Sequence, residues 1–133
     1  GEIESLHLGN ISSLRDWGHA KDYVYGMWLM LQQDIPKDYI LASGTQHSVK
    51  SFVEKVFAMR GFNIAWSGNG INEIGYDIET NRTLIVIDTK YFRPCEVQTL
   101  LGDSSLAREM LGWEPKISFD ELVQDMVDND CPV

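Results

Sequence analysis

Two arginines, Arg15 and Arg93, are the side chains in this sequence best suited to binding a ligand. Each lies in a segment predicted to be a loop, Arg15 just before a helix and Arg93 after a strand. A planar guanidinium can bind two phosphate oxygens through parallel hydrogen bonds, which a lysine ammonium cannot do. The pair could therefore bind a diphosphate. The alternative is that both form surface ion pairs, Arg15 with Asp16 or Asp22 and Arg93 with Glu96.

The remaining patterns do not form a catalytic site. Gly68-x-Gly70 has Glu73 where a phosphate-binding glycine loop requires a third glycine, and it predicts a flexible loop instead. A Tyr-x-x-x-Lys pair is absent. His7, His19 and His47 lack the i, i+4 spacing of helical metal ligands, so we expect them to cap helices or to pack in the core. The sequence therefore predicts no metal site.

Length and composition limit the class of protein. The chain has 133 residues, 44% of them hydrophobic, and a net charge of −9, which predicts one acidic domain with a core. This charge argues against a general binder of nucleic acids or anionic membranes. No apolar run approaches the roughly 18 residues of a membrane span. Cys95 and Cys131 form no disulfide framework, so we expect a reducing, cytoplasmic compartment. The start at 1–3 without Met predicts a piece of a longer protein.

Hydrophobic periodicity predicts an α/β or α+β arrangement with short connections. Ser48 is expected to cap a helix, and Ser118 and Glu121 have the spacing of a capping box. Gly61 and Gly112 are expected to end helices. The predicted order is β, α, β, α, β, β, β, α, α, with strands at 6–8, 39–43, 62–66, 73–79 and 83–88 and helices at 20–33, 49–60, 103–111 and 118–129.

The first predicted helix is unusually apolar. Tyr23, Val24, Met27, Trp28 and Leu31 share one face at helical spacing. Apolar residues also occupy the opposite side. We therefore expect this helix to need cover on more than one face, more than a domain of this size supplies alone.

A set of segments resembles the GDP-mannose 4,6-dehydratase family, one of the extended short-chain dehydrogenases/reductases that act on nucleotide sugars. The longest segment is residues 15–24, Arg-Asp-Trp-Gly-His-Ala-Lys-Asp-Tyr-Val. Each segment alone is common in the superfamily, whereas the full set in this order is specific, and it covers about residues 8 to 126. The other segments are Met27-Trp28-Leu29-Met30-Leu31-Gln32, His47-Ser48-Val49, Phe52-Val53-Glu54-Lys55, Tyr91-x-Arg93-Pro94-x-Glu96-Val97, Gly102-Asp103, Leu111-Gly112-Trp113-x-Pro115 and Phe119-Asp120-Glu121-Leu122-Val123.

The resemblance implies a fold class, and it implies that substrate binding and catalysis belong to different parts of the enzyme. This chain would be an α/β (α+β-like) C-terminal substrate-binding region, a single sugar-nucleotide-binding domain over residues 1–133, with the NADP-binding Rossmann domain mostly absent. Family enzymes oxidise C4 of the mannose of GDP-mannose, eliminate water across C5–C6 and return the hydride at C6. The resemblance places the NADP-binding and catalytic residues upstream of this chain, so we expect no activity from it alone.

The resemblance also assigns residues. Arg15 and Arg93 match the two family arginines on the diphosphate of GDP-mannose. Glu96 matches an acidic residue expected to accept hydrogen bonds from ribose hydroxyls, with the Arg93 ion pair as its alternative. Asn10 would lie where the chain passes the nucleotide.

His19 and Asp22 are expected to orient the Arg15 loop and to cap the helix rather than to contact ligand. The expected partners are the N-terminal Rossmann domain of the same enzyme and further copies of the full-length protein in a homo-oligomer. Two other functions stay open. The chain could be the substrate domain of another nucleotide-sugar epimerase or reductase, or a non-catalytic interaction module derived from one.

Overall fold

The structure, a computed structural model, describes residues 4–130. It confirms the mixed α/β class. A short 3-10 helix, Gly70–Asn72, lies between the fourth and fifth strands. In chain order the elements are β1 (Leu6–Leu8), β2 (Leu14–Arg15), α1 (Ala20–Leu31), β3 (His47–Ser48), α2 (Val49–Met59), β4 (Ile64–Ser67), β5 (Ile74–Asp77), β6 (Thr83–Ile87), α3 (Ser105–Leu111) and α4 (Phe119–Asp130).

The described residues form two compact units. The sheet unit comprises residues 4–13 and 48–98, and the helical unit comprises residues 14–47 and 99–130. In the sheet unit, four strands lie in the order β1-β6-β5-β4. β1 runs parallel to β6, with Leu6 opposite Ile85, and the other neighbours are antiparallel.

Helix α2 packs an apolar stripe on this sheet. Val53, Leu84 and Ile85 are buried together, and Phe57 packs against them. The Ser48 hydroxyl accepts a hydrogen bond from the Ser51 backbone N–H at 3.0 Å, which confirms the predicted N-cap. The strands predicted at 73–79 and 83–88 are present as β5 and β6, which pair antiparallel.

Helix α1 leaves most of its apolar face exposed, as expected if the domain supplies too little cover for it. Asp22 and Gly26 are the buried residues of this helix, whereas Val24, Met27, Trp28 and Leu31 are exposed, Leu31 by 82%. The fifth residue of the apolar face, Tyr23, is partly buried. Contacts of the buried residues explain which face is covered. A Cβ at Gly26 would lie 2.9 Å from Nε1 of the fully buried Trp113, whose indole N–H donates to the Asp22 carbonyl at 2.8 Å.

The predicted strand at 39–43 is wrong. This segment lies in none of the described strands, and Ile40 is exposed. The backbone N–H of Ser43 donates to the Asp16 carboxylate at 2.8 Å instead of joining a strand ladder. The Asp16 carboxylate thus binds a backbone N–H that Ser43 would otherwise use for strand pairing.

The last two helices begin within two residues, and end within one residue, of their predicted bounds. Gly112 ends α3 in the left-handed conformation with φ of 63°. The Ser118 and Glu121 side chains accept from each other's backbone N–H at 3.2 and 2.8 Å, which confirms the capping box before α4. Val123 and Val127 are its buried residues together with Phe119.

Candidate functional site

The loop that carries Arg93 is held to the β1 end by a side chain. The Asn10 carboxamide donates to the Arg93 carbonyl at 2.9 Å and accepts from the Arg93 backbone N–H at 2.7 Å. The preceding Gly9 lies so close to this loop that a Cβ would be 2.2 Å from the Tyr91 carbonyl oxygen. Only glycine fits there without moving backbone. The Asn10 side chain therefore contacts the backbone of Arg93, a candidate ligand-binding residue.

Arg93 and Glu96 form the ion pair that the sequence offered as the alternative to ligand binding. Nη1 and Oε2 are 3.8 Å apart. The Arg93 side chain is 79% exposed and that of Glu96 15% exposed. Because the Arg93 guanidinium is largely solvated at this distance, the pair contributes about 0–1 kcal/mol and leaves the guanidinium accessible to a phosphate. The two roles of Arg93 are thus compatible.

Arg15 lies in the helical unit and lines a cavity of about 370 Å³ together with Tyr23, Leu41 and Leu101. Its Nη1 donates to the Leu14 carbonyl at 2.8 Å. Burial, assisted by the negative charges of Asp16 and Asp22, raises the pKa of Tyr23. The phenol at this cavity therefore stays protonated and can act as a hydrogen-bond donor.

The two carboxylates considered as ion partners of Arg15 both bind backbone amides. Asp16 accepts from the N–H groups of Ser43 at 2.8 Å and Gly44 at 3.0 Å. The buried Asp22 accepts from those of Lys116 at 3.1 Å and Ile117 at 3.0 Å. Each acidic side chain therefore fixes a distant stretch of chain.

The histidines have structural roles. The His19 Nδ1 accepts from the Lys21 backbone N–H at 3.1 Å, which confirms the predicted cap of α1. The His19 ring, buried, also bonds to Asp125 at 3.1 Å and lowers the pKa of that carboxyl. His47 stacks on Phe119 with ring centroids 3.8 Å apart. The expectation is wrong for His7, which is exposed and bonds to Asp88 at 3.0 Å.

The Gly68 loop does not fit the phosphates of a dinucleotide cofactor. The loop at Gly68 leads into a three-residue 3-10 helix rather than an α-helix whose N-terminus could bind a pyrophosphate. A Cβ at Gly68 would lie 2.3 Å from the Asn72 carbonyl oxygen, so the loop's own backbone occupies the space that glycine leaves. We assign no cofactor contact to this segment.

Residues 4–130 hold neither a cluster of metal-ligating side chains nor a membrane-spanning helix. No three His, Cys, Asp or Glu side chains there gather in a way that could hold a metal ion. Over the same range, none of the helices has both the length and the apolar character of a membrane span. The Cys95 thiol is exposed, and Cys131 lies outside the described residues.

Of the four predicted binding residues, Asn10, Arg93 and Glu96 lie in the sheet unit, and Arg15 belongs to the helical unit. Sequence reasoning missed the role of Asp16, which it treated only as an ion partner. No local signal could have revealed it, because its amide donors lie 27, 28 and 86 positions away along the chain.

The fold is that of the extended short-chain dehydrogenases/reductases, over about a third of their length. The RMD of Pseudomonas aeruginosa, solved with NADPH, matches with a TM-score of 0.70 at 17% identity, over 94% of this chain and 35% of that one. The dTDP-glucose 4,6-dehydratase of Bacillus anthracis, solved with NAD, matches with a TM-score of 0.70 at 16% identity, over 94% and 34%.

Within that class, the chain belongs to the GDP-mannose 4,6-dehydratase family, whose model matches residues 1–126. It is 51% identical to the GDP-mannose 4,6-dehydratase of Cricetulus griseus over 98% of this chain and 35% of that protein. Identity to the Homo sapiens enzyme is 50% over 98% and 35%, and to that of Sinorhizobium fredii 49% over 98% and 37%. The chain thus spans about a third of the length of these curated relatives.

Proposed function

We propose that this chain is the C-terminal, GDP-mannose-binding region of a GDP-mannose 4,6-dehydratase. Membership of the family, at about half identity over nearly the whole chain, is the observation that carries the proposal. In the whole enzyme, the reaction converts GDP-mannose to GDP-4-keto-6-deoxymannose. NADP and the catalytic residues belong, in this proposal, to the part of the relatives' length that this chain does not span.

Four residues carry the binding. Arg15 and Arg93 each donate to the diphosphate, where charge-assisted and bidentate hydrogen bonds are strongest. Glu96 accepts from ribose hydroxyls. Asn10 acts through the Arg93 backbone, because its carboxamide is used by that contact. The anchored nucleotide holds the distant hexose in position for reaction, so the contribution of this region to the rate is positioning.

An acidic protein can bind an anionic ligand in this way. The net charge of −9 governs long-range attraction, whereas short hydrogen-bonded contacts govern the bound state. Arg93 is suited to binding the diphosphate because its guanidinium is largely exposed, whereas its backbone N–H and carbonyl are both hydrogen-bonded to Asn10. The full-length enzyme is proposed to be cytoplasmic and homo-oligomeric, with its Rossmann domain as the partner of this region.

Calorimetry with GDP and GDP-mannose tests the proposal. Replacing Arg15 or Arg93 by Ala should weaken GDP binding about 10- to 100-fold, since one charge-assisted hydrogen bond contributes about 1.5–3 kcal/mol. Arg82→Ala is the matched control, because the Arg82 guanidinium already donates to the Glu4 carbonyl at 3.3 Å. Unchanged GDP affinity in both arginine variants would contradict the proposal. Turnover of GDP-mannose by this chain with added NADP would contradict the placement of catalysis outside it.

A further inference from the structure

Both chain neighbours of Arg15 are bonded to one segment of the helical unit. The Leu14 carbonyl accepts from the Leu100 backbone N–H at 3.3 Å, and Leu14 pairs with Thr99 in a parallel bridge. Two residues further along each of the two segments, the Asp16 carboxylate accepts from the Gly102 backbone N–H at 3.4 Å. A side chain therefore continues the pairing where the backbone of β2 ends.

The same carboxylate holds a second segment. Oδ1 of Asp16 accepts from the Ser43 N–H at 2.8 Å, and Oδ2, which binds Gly102, also accepts from Gly44 at 3.0 Å. The two segments touch, since a Cβ at Gly102 would lie 2.2 Å from the Ala42 Cβ. Asp16 thus joins two stretches of chain that line the cavity beside Arg15.

Only a carboxylate of this length provides these contacts. Both Asp16 oxygens accept hydrogen bonds from backbone N–H groups, and an ionised carboxylate can accept at both. An Asn amide has the same shape but a single acceptor oxygen. Its NH₂ group would face either the Ser43 N–H or the N–H groups of Gly44 and Gly102. Because both sides would then be hydrogen-bond donors, those hydrogen bonds would be lost.

We infer that Asp16 is a positioning residue that holds the Arg15 guanidinium at the cavity wall for the ligand's phosphate. Arg15 Nη1 donates to the Leu14 carbonyl at 2.8 Å, so the place of residues 14–16 sets the place of the guanidinium. Asp16 fixes one end of that tripeptide, and the Leu14–Leu100 bond fixes the other. The inference rests on the proposed function for the identity of the ligand, but not for the position of Arg15.

The test compares Asp16→Asn with Asp34→Asn, a control at an exposed position after α1. Without ligand, the NMR resonance of the Arg15 Nε–H and the amide resonances of Ser43, Gly44 and Gly102 should shift in Asp16→Asn and not in the control. If Asp16→Asn does not fold, Asp16→Glu keeps both oxygens but displaces them, and the same resonances are followed. An unchanged Arg15 Nε–H resonance in a folded variant would overturn the inference.

Binding of GDP separates positioning from general stability. Asp16→Asn should weaken GDP binding about 10-fold, close to one charge-assisted hydrogen bond. In an Arg15→Ala background the same change should have no further effect on GDP affinity, because Asp16 acts through Arg15. A second full loss in that background would show a merely structural role. If the unaltered chain fails to bind GDP, the proposed function fails, and the Arg15 resonance still decides the inference.

Discussion

The side chain of Asn10 contacts Arg93 through both polar groups of the Arg93 backbone, at 2.9 and 2.7 Å, rather than through its charge. The arrangement leaves the guanidinium available to a ligand while its main chain is held in place. A fixed loop loses less conformational entropy when it binds than a mobile loop does. Removing the contact should therefore reduce both order and affinity.

Asn10→Ala should release the Arg93 loop. Both hydrogen bonds are lost, each contributing about 1 kcal/mol, so amide exchange at Arg93 should accelerate about tenfold or more. GDP affinity should fall several-fold for the same reason. Hydrogen exchange followed by NMR is the measurement, with Asn69→Ala in an exposed loop as the control. Arg93 amide exchange equal to that of the unaltered chain would show that Asn10 does not hold the loop.

Gly26→Ala should destabilise the helical unit. The added methyl would lie 2.9 Å from Trp113 Nε1 and 2.6 Å from a Leu41 methyl. Leu41 can rotate, but the fully buried Trp113 is held by its hydrogen bond to the Asp22 carbonyl. Overpacking of this kind costs about 1–3 kcal/mol, more than the helix propensity gained from Ala. Urea unfolding measures the change, and the exposed Met27→Ala should stay within about 0.5 kcal/mol. A stabilised Gly26→Ala variant would contradict the observed packing.

Asp77→Asn should reduce the acid sensitivity of the sheet unit. The Thr80 hydroxyl donates to the buried Asp77 carboxylate at 2.7 Å, and the backbone N–H groups of Asn63 and Thr80 also donate to it. These hydrogen bonds, that of the Thr80 hydroxyl first, hold the pKa of Asp77 below its usual value. The stability they contribute is complete above the unfolded pKa of about 3.9 and is lost as the pH falls through the lower folded value.

The urea midpoint should therefore fall less steeply between about pH 5 and pH 2 in Asp77→Asn than in the unaltered chain. Asp38→Asn, at an exposed position, controls for the loss of a charge. Parallel pH profiles for Asp77→Asn and the unaltered chain would show that Asp77 is not bonded in this way.

Ser118→Ala should weaken the start of α4. The Ser118 hydroxyl bonds the Glu121 N–H and also donates to the Glu121 carboxylate at 2.7 Å. Loss of an N-cap costs about 1 kcal/mol. The Ser118 contacts lower the pKa of Glu121, so that pKa should rise in the variant, as followed by NMR titration. Ser67→Ala, an exposed serine at the end of β4, should change neither quantity. An unshifted Glu121 titration would exclude the capping box.

Local hydrogen bonding explains which elements could be predicted. Ser48, Gly112 and the Ser118–Glu121 pair act over three or four residues, and the helices they bound lie within two residues of their predicted ends. The candidate site could be predicted only as a set of residues. The matched motifs name Arg15, Arg93 and Glu96, and the resemblance places Asn10 near the nucleotide. Neither indicates that the carboxamide of Asn10 bonds to the Arg93 backbone.

The class of fold, the helix caps and the family could be predicted from the sequence, because each depends on residue types at short spacing. The buried face of α1 and the lack of a strand at residues 39–43 are seen only in the folded chain. Both outcomes depend on partners far along the chain, Trp113 for α1 and Asp16 for Ser43. A hydrophobic stripe indicates which side chains would be stabilised by burial. Close packing and the hydrogen bonding of backbone donors decide which of them are buried.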